Sequence, residues 1–448
     1  MAVDAETMNV LSDALARAKA AGADAADAVL VRAVSTSHRR RLGKTELLER
    51  SEGHDLGLRV LIGKRQAVVS TNDWKPERLA EIAERAVAMA RAVPEDSDIG
   101  LADPDQLFSG PIPELDSVDG QEASAETLIE RAAACEEAAL AIKGVTNSEG
   151  AEASWGSWDV ALMASNGFSG SYSNTRHSLG VYVIAGEGTG MEGGYDGWSS
   201  AHASDLKAAD IIGRSAGERA VSRLGPKKVK TGRLPVVFDG RIAGGLLGNL
   251  ASAINGAAIA RGASFLKSKL GQQILPESLT VWDDPLRVRG LRSKPFDAEG
   301  LATKARPIVE NGVLTSWILD LRTARKLGMS STGHAGRGAS GPPSPGASNF
   351  YLPAGKVSVQ ELIGDITDGV FVTSLFGHGA NLITGDYSRG AAGFRIEKGE
   401  ITYPIHEFTI AGNLNEMFAG MIPADDLEFR SGTDAPTIRI DSMTVAGN

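Results

Sequence analysis

The sequence predicts an α+β protein of two domains, with helices and strands mixed in the first half and strands predominating in the second. Three observations carry this expectation. The 448 residues exceed what one compact core accommodates. The 53 glycines and 5% aromatic content describe a chain with many turns, and hence many strands. Apolar residues recur at helical spacing in stretches up to residue 260, after which short β-type runs take over. The domain boundary is placed at Gly225-Pro226-Lys227-Lys228, giving 1–225 and 226–448.

In chain order, Met8 to Ala20 puts Leu11, Ala14, Leu15 and Ala18 at helical spacing. Ala26–Ser35, Thr45–Arg50, Leu56–Ile62 and Gln66–Ser70 read as strands, the last two joined by a turn at Gly63-Lys64. A helix opens at Trp74-Lys75-Pro76-Glu77, where the missing proline N–H costs nothing, and stops before Pro94. Pro94 to Pro113 has the composition of a surface connection. Ala123–Ile142 is a helix containing Cys135. Val160–Ser165 and Phe168–Tyr172 form a hairpin about Asn166-Gly167, and Ser178–Ala185 is a further strand. The glycine-rich segment 186–197 is expected to be a loop, and Asp205–Leu224 a helix.

The second half opens with a buried strand, Leu234–Phe238, a turn or cap at Asp239-Gly240, and one buried helix over 241–260. Ser278–Asp284, Gly300–Ile308 and Gly312–Leu319 read as strands, with Asn311-Gly312 as a hairpin turn. Residues 333–349, rich in Gly, Pro and Ser, are expected to be a flexible loop, either a mobile tip or a site loop. The rest is mostly strand: Gly369–Phe376, Ala391–Lys398, Glu400–Pro404, Phe408–Ala411 and Thr437–Val445.

A net charge of −10 argues against general affinity for DNA or anionic membranes. The single cysteine forms no intrachain disulfide and fits a reducing, cytoplasmic compartment. The N-terminal residues carry acids where a signal peptide needs basic ones, and no run of ~18 uncharged apolar residues suggests a membrane span.

Catalytic signatures are weak. A helix beside a strand is where many hydrolases mount metal ligands, yet residues 241–260 contain no His, Asp, Glu or Cys. None of the seven histidines has another within five residues. The only His-Glu pair, His406-Glu407, has Ile410 and Ala411 where a second histidine would fall. Gly213-Arg214-Ser215-Ala216-Gly217 matches a nucleophile elbow but lies inside a helical pattern, where its small residues suit close packing. Gly188/Gly190/Gly193 and Gly336/Gly338/Gly341 match a dinucleotide fingerprint, but neither opens a helix. Cys135 reads as a packing residue, and the basic run His38–Arg41 as a solvated or interface face. Asp283-Asp284-Pro285 and Asp386-Tyr387-Ser388 read as turn chemistry, with ordering of a loop at a cavity as the alternative.

The stretches Leu56–Trp74, Ala257–Pro285, Asn381–Ser388, Phe408–Leu414 and Ala435–Gly447 together resemble the TldD/PmbA family, also labelled modulators of DNA gyrase, and most closely its PmbA or TldE branch. The resemblance spans essentially the whole chain. It implies a two-domain TldD/PmbA-like fold, with an α/β N-terminal domain and a mostly antiparallel β C-terminal domain. It also implies a cytosolic peptidase complex of two related subunits. In the TldD branch the helix carries His-Glu-x-x-x-His, and a later cysteine completes a zinc site. Placed here, that motif falls on Leu247-Gly248-Asn249-Leu250-Ala251-Ser252, and the late cysteine is missing. Leu247, Gly248 and Ser252 are therefore degenerate metal positions.

What the resemblance leaves is a zinc-free accessory subunit with no catalytic residue and no cofactor of its own. Its expected partners are a zinc-bearing TldD-like subunit and a peptide substrate, with a homodimer in isolation. The loop at 333–349 is expected to line the shared chamber, with Arg337, Pro342 and Pro343 placed to touch an extended peptide. Two alternatives are a regulatory protein acting through protein partners and a stand-alone hydrolase with a dispersed site.

Overall fold

The computed structural model describes residues 5–377 and 379–447, so His378 lies outside the described residues. The first half contains helix α1 (Ala5–Ala20), strands β1 (Ala25–Arg41), β2 (Lys44–Ile62) and β3 (Arg65–Thr71), and helices α2 (Pro76–Ala92) and α3 (Ala125–Leu140). Strands β4 (Val145–Ala164), β5 (Ser169–Ala185) and β6 (Glu192–Ser200) and helix α4 (Ala209–Ser222) complete it. The strands form one antiparallel sheet in the order β3-β2-β1-β4-β5-β6. Alternation decides what each face does. Leu30, Leu58 and Val60 pack with α1 and α2, and Ala153, Leu179 and Val181 pack with α3 and α4. Among the described residues the opposite face carries no helix. One end of it packs on the second half, where Val29, Leu162 and Phe168 gather with Phe296. Its other end stays open.

The second half runs β7 (Gly232–Phe238), α5 (Gly240–Ala253), α6 (Gly256–Ala260), β8 (Val281–Asp283), β9 (Arg306–Glu310), β10 (Val313–Leu314) and α7 (Leu321–Lys326). It continues with β11 (Ala335–Gly336), β12 (Ser344–Pro345), β13 (Phe350–Tyr351), α8 (Val359–Ile363), β14 (Asp368–Phe376), β15 (Asp386–Glu397) and β16 (Glu400–Asn413). Helix α9 (Leu414–Ala419) and strands β17 (Met421–Pro423), β18 (Thr433–Asp434) and β19 (Ile438–Ala446) close the chain. A six-stranded sheet, β16-β15-β14-β7-β19-β17, and a five-stranded sheet, β10-β9-β8-β13-β18, share one core with α5. Leu246, Leu247 and Leu250 of that helix join Val236, Phe238 and Val372 on one side and Ile308 and Leu314 on the other. Among the described residues no helix is long and apolar enough to cross a membrane.

Several elements differ from expectation. Thr45–Arg50 and Leu56–Ile62 belong to one strand, because pairing with β1 carries the chain through the polar residues between them. The glycine-rich segment 186–197 is only partly loop, since its second part enters the edge strand β6. The expected helix 241–260 breaks after Ala253, where the Asn255 side chain accepts from Ala257 N and caps α6. Helices α7 and α8 form in segments between the expected strands, where no helix was expected. Both begin with reciprocal caps, Asp320 with Thr323 and Ser358 with Glu361.

Candidate functional site

Helix α5 follows β7 directly. Asp239 ends the strand and caps the helix, accepting from Arg241 N at 2.9 Å and holding the Arg241 guanidinium at 3.0 and 3.2 Å. The degenerate metal positions then diverge. Leu247 is fully buried in the core. Gly248 offers no side chain, and a Cβ there would meet nothing. The Ser252 hydroxyl is exposed and donates to Gly248 O at 2.8 Å. Zinc needs thiolate, imidazole or carboxylate ligands converging on one point. These three positions supply none, so they do not fit the metal. Among the described residues no three His, Cys, Asp or Glu side chains gather in a metal-binding arrangement.

A wide opening lies elsewhere. A groove of about 1010 Å³ separates the helix-free face of the first sheet from the second half. The sheet contributes Glu152, Ser154, Ser178, Tyr182 and Tyr195, and the second half contributes Arg241, Ile242, residues 373–376 and Arg430. Tyr182 and Tyr195 are directly opposed on β5 and β6. A Cβ at Gly193 would collide with the Tyr182 hydroxyl, and one at Gly197 with the Tyr195 hydroxyl. The glycines of β6 thus let two phenol rings lie along the strand. Arg223, just beyond α4, reaches across the groove. It donates to Gly193 O at 2.9 Å, Thr373 Oγ1 at 3.1 Å and Ser374 Oγ at 2.6 Å.

Residues 333–349 do not border this groove. They form a small ordered hairpin of β11 and β12, clamped between the two halves. The buried carboxylate of Asp283 orders its base, accepting from Ser348 N at 2.8 Å and lying 3.2 Å from His334 Nε2. That is the loop-ordering alternative for Asp283, whereas Asp284 accepts from Leu286 N as ordinary turn chemistry. Ala339 then docks backbone-first on β2, in space that a side chain at Gly57 would fill. Arg337 enters the first half and pairs with Asp27, which also accepts from Arg59 Nε at 2.8 Å. Burial alone would raise the Asp27 carboxyl, but Arg59 and Arg337 hold it below the ordinary range. Nearby, burial first and then Asp297 push Glu299 well above the usual carboxylate range.

The residues expected to line a peptide chamber sit as follows. The Arg337 side chain is only 1% exposed and is paired with Asp27. Pro343 is buried, and with the exposed Pro342 it borders a void of about 30 Å³ beside Arg59 and Glu299. The composition of the loop suggested mobility because its anchors, Asp27 and Gly57, lie about 310 and 280 residues away in sequence.

The other motifs resolve simply. Side chains at Gly213 or Gly217 would run into the backbone of α3, so the elbow-like motif is a close helix contact. Ser215 there accepts from Arg219 Nε at 3.0 Å. Cys135 is buried in the same contact, and burial pushes its thiol up to about 12. Neither glycine fingerprint precedes a helix: the first leads into β6, the second into β12. Asp386 accepts from Thr384 and Asn413 at a turn. Sequence reasoning missed the groove residues Glu152, Tyr182, Tyr195 and Arg223. The glycine-aromatic alternation Gly180-Val181-Tyr182 and Gly193-Gly194-Tyr195-Asp196-Gly197 was the available signal.

Comparison with known proteins now adds to this geometry. Residues 26–90, 119–224 and 231–447 match PmbA/TldA metallopeptidase domain 1, central domain and C-terminal domain. The chain is 38% identical to metalloprotease PmbA of Escherichia coli O157:H7, over 95% of this chain and 92% of that protein. A solved structure from Bacteroides thetaiotaomicron, described as a candidate modulator of DNA gyrase, superposes with a TM-score of 0.92 at 29% identity. It covers 99% of this chain and all of that one (100%). TldE from Thermococcus kodakarensis shares the fold, with a TM-score of 0.87 at 22% identity over 98% of this chain and 100% of that one.

Proposed function

This chain belongs to the PmbA/TldD metallopeptidase family, and from that membership we propose that it is the zinc-free subunit of a two-chain, TldD/TldE-type peptidase that processes unfolded peptides. Helix α5 carries the reading. A buried leucine, a bare glycine and a self-satisfied serine stand where a metal-binding helix needs ligands. The chemistry then belongs to a TldD-like partner, and this chain closes a chamber around the substrate in the cytoplasm. The open groove supports that role better than the loop at 333–349, because it is wide, aromatic-walled and reachable. We further propose 1–225 and 226–448 as the two folding units. The first sheet closes before Gly225, and the second core begins at Val229.

Co-expression with a TldD-like subunit tests the partnership. A one-to-one complex that survives size-exclusion chromatography is expected. Failure to associate at micromolar concentration, with both chains folded, would remove the accessory reading.

A further inference from the structure

We propose that Arg223, with Thr373 and Ser374, forms a carboxylate-binding subsite at one end of the groove, which anchors an extended peptide by a carboxylate group. The inference deepens the peptide-processing reading and rests on it for the class of ligand. Its geometry stands on this chain alone.

Three observations converge. First, Arg223 makes no ion pair among the described residues. Of the arginines at the groove, Arg39 pairs with Glu46 at 3.3 Å, Arg241 with Asp239 at 3.0 Å and Arg430 with Asp196 at 3.3 Å. Among the described residues Arg223 has no carboxylate partner; its three bonds go to a carbonyl and two hydroxyls. Glu192, whose charge reaches it, faces His406 Nδ1 at 3.5 Å. Second, part of the donor set is unspent. A guanidinium has five N–H groups, and these bonds use three. Two N–H groups remain without a protein acceptor among the described residues, and Arg223 lines the groove. Thr373 and Ser374 accept from Arg223, which leaves each hydroxyl proton free to donate. Third, a β-bulge places these hydroxyls together. The pairing of β14 with β15 slips between Val372 and Ser374, so Thr373 and Ser374 both turn toward Arg223. Tyr182 lies over Gly193, the residue whose carbonyl holds the arginine, and supplies an apolar flank. A planar guanidinium fixed from three sides is preorganised for a carboxylate.

The carboxylate comes from a peptide C-terminus or from an acidic side chain, and the test separates the two. Three unstructured decapeptides, labelled with an uncharged BODIPY dye that has no carboxylate, are titrated into the full-length protein by fluorescence anisotropy. One carries only a free C-terminal carboxylate, one is amidated and has no acid, and one is amidated with a single internal Glu. The acid-free peptide is expected to bind at least tenfold more weakly than one of the others, which identifies the source. Arg223→Gln should remove that discrimination, while Arg223→Lys restores part of it. Ser374→Ala, a milder change, should weaken the preferred peptide about threefold. Equal binding of all three peptides, no measurable binding, or unchanged discrimination in a folded Arg223→Gln protein would each overturn the subsite. The readout needs neither zinc nor a partner chain. Normal peptide binding by a chain that never activates a TldD-like subunit would sink the accessory reading instead.

Discussion

Asp27 lies between two guanidinium groups contributed by the two halves of the molecule, Arg59 on β2 and Arg337 on the clamped loop. Neutralising it as Asp27→Asn leaves two buried cations facing each other. The expected loss is about 3–5 kcal/mol, measured by urea unfolding, because a broken buried pair costs more than the intact pair contributes. The folded carboxyl titrates below its unfolded value of about 3.9. Its contribution is therefore present above that value and is lost as pH falls through the lower folded one. Glu299 has the opposite sign. Burial and Asp297 raise it, so the folded state holds its proton more tightly. Its contribution is complete below the ordinary glutamate range near about 4.3 and is lost as pH rises toward the folded value. Glu299→Gln keeps the acceptor for Leu321 N and removes the charge. It should raise Tm more at pH 8 than at pH 5; an equal loss at both would contradict this. Cys135 was legible from its alanine-rich helix, and it should resist thiol reagents at pH 8 until the protein unfolds. Arg337 was not legible. Its partner is distant in sequence, and nothing in a glycine-rich loop announces a buried salt bridge.

At the scale of elements, local patterns were readable wherever propensity and packing agree. The hairpin at Asn166-Gly167, the proline-opened α2 and the close contact of α3 with α4 all follow from residues a few positions apart. Gly213→Ala tests the last of these. The added methyl would strike Cys135 O, so a loss of about 1–3 kcal/mol is expected in thermal or urea unfolding, as for overpacked cores. No change would mean that the helices separate freely. Failures came where tertiary pairing overrides composition. Pairing with β1 extends β2 through a polar stretch, and β6 forms from glycines because aromatic rings and a helix occupy their missing side-chain space. The break after Ala253 was hidden because Asn255 both caps α6 and donates to Pro345 O across the fold.

In the whole molecule, two cores meet across a groove, and the chain joins them through Gly225-Pro226-Lys227-Lys228. Both lysines are exposed, so trypsin is expected to nick there first and yield two fragments that remain associated through the Asp27 and Phe296 contacts. Early cleavage within 333–349 would show instead that the clamped loop is free in solution. The α+β class was visible in sequence, since it depends on local residue type, whereas the degenerate metal positions were reached only through the family resemblance. The groove was not, since it arises from how the open face of one sheet confronts residues some 200 positions later. The accessory role rests on α5 and is tested most directly by zinc content together with hydrolysis of an unstructured peptide. Both are measured on this chain alone, on a TldD-like partner alone and on their mixture. Zinc bound only through the partner, with full turnover only in the mixture, is the predicted result. Stoichiometric zinc and zinc-dependent turnover by this chain alone would contradict it.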